Sequence, residues 1–133
     1  MNQKQKCKKG KIIPNGVSLE KHENNTIVFF TNLGYTVELI PPVLTPNSKT
    51  PDLMMLGQPW EMKNPLSNSK NAIERSFKKA AQQSENIILD LRRTTAKSTE
   101  AIKIYEKLFN GSKRVRKMKI ITKNQELKEY NKK

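Results

Sequence analysis

The stretch TPDLMMLGQPWEMK, residues 50–63, sets Asp52 ahead of a short apolar run and Glu61 and Lys63 at its far end. Strands keep charges off a buried face, and Asp, Glu and Lys are poor strand formers, so these residues are either a solvated edge or a metal site. Gly57-Gln58 suits a type II′ two-residue turn between strands at 53–56 and 60–63. With that turn Met55 faces Trp60, Met54 faces Glu61, Leu53 faces Met62 and Asp52 faces Lys63. Alternation then gathers Asp52, Met54, Glu61 and Lys63 on one face and Leu53, Met55, Trp60 and Met62 on the other. Two carboxylates brought together repel unless they hold a cation, and hard divalent ions take carboxylate oxygens. A nearby Lys can orient a water or stabilise an oxyanion. As a purely structural feature the same trio is an exposed ion pair with an extra Glu, contributing ~1 kcal/mol or less.

The elements that must position these residues follow from periodicity. Ser18, Leu19, Ile27, Phe30 and Leu33, closed by Gly34, predict a helix over 18–33. Glu20 and Glu23 lie two turns before Ile27 and Phe30, so at least one carboxylate points toward the surface on which that helix packs. TVELI, 36–40, has strand composition and stops at Pro41-Pro42. A helix capped by Ser69 carries Ala72, Ile73, Ser76, Phe77, Ala80 and Ala81 on one stripe and exposes Lys70, Arg75, Lys78 and Lys79. The apolar run IILDL, 87–91, reads as a covered parallel strand, followed by Arg92 and Arg93. A third helix over 97–109 and a Lys-rich strand over 115–122 complete the order, and NQELKEYNKK reads as frayed or weakly helical. The expected organisation is a basic flexible leader (1–16) ending in a Pro14-Asn15-Gly16 turn, one folded domain (17–123) and a basic tail (124–133).

Composition narrows the partners. Lys and Arg number 26 against 12 Asp and Glu, so 26 − 12 = +14, in a chain of 133 residues. The isoelectric point is about 10, where domains that bind polyphosphate cluster. Nucleic acid is the leading partner, and Lys70, Lys78, Lys79, Arg92 and Arg93 are its candidate contacts. No apolar run approaches the ~20 residues that span a bilayer, and the N-terminal segment lacks the apolar stretch of a secretion signal. Cys7 is the single cysteine, which excludes an internal disulfide and a cysteine-based metal cluster. His22 is the single histidine, so a two-His acid and base pair is excluded. Trp60, alternating with Met62 and Met55, is expected in the core rather than on a base.

Pro51-Asp52, eight intervening residues and then Glu61-Met62-Lys63 resembles the PD-(D/E)xK nuclease motif. The order of helix, three strands, helix and strand is similar to that superfamily's core. The resemblance implies an α/β fold with a restriction-endonuclease-like core: a helix, a three-strand antiparallel meander, a helix and a strand. A C-terminal helix and strand are added to it, in a mixed sheet flanked by helices. More closely, residues 19–93 resemble the C-terminal tRNase toxin domains of contact-dependent growth inhibition proteins and related bacterial polymorphic toxins. The features that carry this are a Glu-bearing helix, a Gly-x-x-Val strand, the Pro-Asp…Gly…Trp-Glu-x-Lys hairpin and a Ser/Lys-rich loop before a basic helix.

That resemblance implies an active site of Glu23, Asp52, Glu61 and Lys63. Asp52, Glu61 and Glu23 would be ligands to a divalent ion, Mg²⁺ first and Mn²⁺ or Zn²⁺ as alternatives, and Ser67-Asn68-Ser69-Lys70 would lie near the substrate backbone. It further implies tRNA cleavage in the bacterial cytoplasm, delivery as the C-terminal part of a secreted effector, and an acidic immunity protein as partner. DNA cleavage on the same fold, a metal-independent barnase-like RNase and a non-catalytic nucleic-acid-binding module are the alternatives.

Overall fold

The structure, a computed structural model, describes residues 8–45, 50–67, 69–94 and 99–132. Cys7, Asn68 and the expected helix start at 97–98 lie outside the described residues. The fold is mixed α/β, with seven strands and three helices among the described residues. The chain divides into two compact units, one ending at Pro59 and the other beginning at Trp60.

The first unit contains β1 (Ile12–Ile13), α1 (Lys21–Asn32), β2 (Val37–Leu39) and β3 (Leu53–Met55). Helix α1 starts later than the sequence predicts. Glu20, not Ser18, is the N-cap, because its backbone N–H donates to the Glu23 Oε1 at 3.0 Å and so satisfies the first turn. Thr26, Ile27, Phe30 and Thr31 form the buried face. At the other end Gly34 N–H donates to the Thr31 carbonyl and Tyr35 N–H to the Phe30 carbonyl, a Schellman closure. β2 pairs antiparallel with β3, Glu38 opposite Met54 and Leu39 opposite Leu53.

Part of the expected leader is structured. Ile12 and Ile13 run parallel to Val37 and Glu38, and the Asn15 side-chain amide donates to the Leu39 carbonyl at 2.8 Å. Gly10 permits this approach, since a Cβ there would stand 1.7 Å from the Tyr35 carbonyl oxygen. The turn after β3 is centred on Leu56-Gly57 rather than Gly57-Gln58: both have positive φ, 57° and 73°, the type I′ signature.

The second unit holds the rest of β4 (Gln58–Lys63), then α2 (Lys70–Gln83), β5 (Asn86–Asp90), α3 (Thr99–Gly111), β6 (Lys117–Ile121) and β7 (Leu127–Asn131). Ser69 caps α2 as expected, its Oγ accepting from Ala72 N–H at 3.2 Å. β4, β5 and β6 are parallel, and every residue of β5 is buried, as a central strand covered on both faces requires. Ile73, Phe77 and Ala80 of α2 and Ala101, Tyr105 and Phe109 of α3 pack on Ile87, Leu89, Met118 and Ile120. The tail is a correction to the sequence reading: residues 127–131 are a strand antiparallel to β6. No local pattern marks it, because Tyr130 gains its apolar contacts only against the α3 and β6 cluster and Leu127 is set beside Ile121 only by the register. Among the described residues no helix is long and apolar enough to cross a membrane.

Candidate active site

Glu23 and Asp52 belong to the first unit. Glu23 sits in the first turn of α1, half-buried, its carboxylate accepting from the Glu20 N–H. Asp52 immediately precedes β3 and is half-buried, and its carbonyl accepts from Ile40 N–H at 2.9 Å, which anchors it beside the end of β2.

Glu61 and Lys63 belong to the second unit, on β4. The sequence leaves open whether they sit on a solvated edge or form a metal site, and in the structure Glu61 is only 4% exposed. The cause is the parallel register. Glu61 aligns with Ile87 and Lys63 with Leu89, so both share the face on which α2 and α3 pack. Lys63, nearer the strand end, is half-buried and holds its Nζ 3.3 Å from Glu61 Oε2. Trp60 and Met62 occupy the opposite face and are also buried, Trp60 with the Lys119 ammonium 5.2 Å from its ring centre. Trp60 is therefore a core residue, as expected.

A carboxylate withdrawn from water beside an ammonium is held in its charged form by that neighbour, and a carboxylate oxygen has more than one lone pair with which to accept. Asp52 in the first unit and Glu61 in the second each offer the hard oxygen donors that a Mg²⁺-type ion takes. Among the described residues no three His, Cys, Asp or Glu are grouped to hold a metal alone, so a closed all-protein cage does not fit. His22 lies on α1 with Nδ1 3.7 Å from Glu20 Oε1.

The expected cations differ in what they do. Lys70, Lys78 and Lys79 are exposed on α2. Arg92 is tied to the buried Asp90, Nε to Oδ1 at 3.0 Å and Nη2 to Oδ2 at 2.8 Å, a bidentate pair that sequence reading missed. The Asp-x-Arg spacing at the end of IILDLRR is the signal that could have found it. Arg93 Nη1 donates to the Asn64 carbonyl at 3.2 Å, joining the ends of β4 and β5. Lys119, also missed, is 4% exposed and paired with Glu129.

No curated protein matches the chain. Among solved structures, a chain of a CdiA-CT/CdiI toxin and immunity complex from Burkholderia pseudomallei is similar in fold. Its TM-score is 0.65 over 88% of this chain and 92% of that one, at 22% sequence identity. The family model described as the contact-dependent growth inhibition CdiA C-terminal domain matches residues 49–127, more than half of the sequence, and the chain belongs to that family.

Proposed function

We propose that the chain is a toxin domain acting as a metal-dependent endonuclease on RNA, with tRNA as substrate, built on a PD-(D/E)xK core. The observation that carries this reading is the withdrawn Glu61 carboxylate with Lys63 Nζ 3.3 Å away, two residues along the same strand. Asp52 and Glu61 would hold a divalent ion, with Glu23 assisting. When bound, the ion neutralises charge on the scissile phosphate and acidifies a coordinated water. Lys63 would orient the attacking water and stabilise the oxyanion, and the exposed cations Lys70, Lys78 and Lys79 would draw in the phosphate backbone. Membership of the family further supports delivery as the C-terminal part of a secreted effector into a bacterial cytoplasm. An acidic immunity protein is the partner that a charge of +14 would attract fastest.

The test is incubation with total tRNA and, separately, linear and supercoiled DNA, in Mg²⁺, Mn²⁺ or EDTA, beside Glu61→Gln and Asp52→Ala. Discrete tRNA fragments are expected, lost in EDTA and reduced at least about 100-fold by either substitution, with unchanged circular dichroism. Cleavage that survives EDTA and both variants would remove the metal mechanism and favour a barnase-like RNase. Cleavage of DNA alone would move the substrate, and tight binding without cleavage would make the chain a binding module.

A further inference from the structure

The carboxyl ends of the three parallel strands β4, β5 and β6 carry a basic edge that the residues above do not exhaust. After β5 the chain turns at 91–94, where Thr94 N–H and Oγ1 both donate to the Leu91 carbonyl. Two cations tie that turn to the neighbouring strand ends. Arg93 extends to the Asn64 carbonyl beyond β4, and Lys123, just beyond β6, donates its Nζ to the Thr94 carbonyl. Among the described residues neither forms an ion pair with a carboxylate, whereas Lys63 is held by Glu61 and Arg92 by Asp90. Among the described residues each is pinned by one carbonyl, and a guanidinium or an ammonium has further donors to offer. Three strand ends span about 10 Å. In open α/β sheets ligands bind outside the carboxyl ends of strands. Helix α2, which leaves β4 at this end, adds the positive end of its dipole through its Ser69-capped first turn.

We propose that Arg93 and Lys123 form a phosphate-binding edge that grips the RNA backbone beside the Glu61 and Lys63 strand end. In this arrangement Arg92 is a positioning residue: the bidentate pair with Asp90 and the Arg92 N–H to Asp90 Oδ1 bond at 3.1 Å shape the turn that presents Arg93. The inference rests on the nucleic-acid reading above but not on catalysis, so the two can fail separately.

The experiment is equilibrium binding of tRNA and of a single-stranded DNA oligonucleotide in EDTA, across 50–300 mM KCl, for the wild type, Arg93→Gln, Lys123→Gln and a Lys103→Gln control on the exposed face of α3. Each edge variant is expected to weaken binding about 3- to 10-fold and to lower the slope of log K against log salt by about 0.7, while Lys103→Gln leaves both unchanged. Arg93→Lys, which keeps the charge, should retain the slope while losing part of the affinity, and thermal melts identify any variant that fails to fold. Wild-type slopes in both edge variants, or a wild type that binds neither polynucleotide, overturn the proposal. Reduced slopes in a protein that cuts nothing leave the edge standing and remove the nuclease reading alone.

Discussion

Glu61 shows how one side chain changes meaning with its neighbours. Its type and its spacing to Lys63 are readable from the sequence, but its burial is not, because burial depends on Ile87 lying beside it across a parallel pairing 26 residues along the chain. Tyr105 makes a second point at this scale. It is fully buried in α3, and burial pushes its hydroxyl up to about 12 against a smaller opposing pull from the Ser76 side chain. The folded state then holds a proton that the unfolded chain releases near pH 10, so stability is intact below pH 10 and is lost as pH rises from 10 toward 12. Between pH 9 and pH 11 the wild type should lose about 1 kcal/mol more than Tyr105→Phe, measured by urea unfolding at each pH. Equal losses would place the phenol in water in the native state.

At the scale of elements, the helices were legible because their periodicity is local: Ser69 and the stripe through Ile73, Phe77 and Ala80 mark α2 without any partner. The short strands β1 and β7 were not. β1 is two residues long and exists because Gly10 lets the chain close on Tyr35, its N–H reaching the Thr31 carbonyl and Val37 N–H reaching the Lys11 carbonyl. Gly10→Ala would drive a Cβ into backbone that cannot yield, so it should destabilise the first unit by about 1–3 kcal/mol. Amide exchange at Val37 should accelerate, while β5 and β6 amides in the second unit stay protected. Unchanged exchange at Val37 would show that β1 contributes nothing to β2. The turn at Leu56-Gly57 was displaced by one residue for a related reason. The preference for Gly at the first turn position is statistical, whereas strand twist accepts a type I′ turn with Gly second, and exposed Leu56 tolerates a φ of 57°.

For the whole molecule the governing quantity is charge. A balance of +14 makes association with a polyanion depend on released counterions. With about five phosphate contacts on single-stranded segments, tRNA affinity should fall about 100-fold between 50 and 200 mM monovalent salt, checked by fluorescence anisotropy in EDTA. A fall of less than threefold would mean that the surface cations are only solvated. An acidic partner should show the same dependence in its association rate rather than its dissociation rate.

By itself the sequence determined the charge, the helical and β periodicities, the α/β order of the elements, and the carboxylates and lysines available for chemistry, since all of these are local or additive. Only the tertiary structure decided that Glu61 is withdrawn from water, that Asp90 claims Arg92, that the C-terminal segment pairs with β6, and that Arg93 and Lys123 meet one turn. Those four outcomes depend on parallel and antiparallel registers between segments distant in the chain. A register is selected by the summed burial of whole strands rather than by any short run of residues.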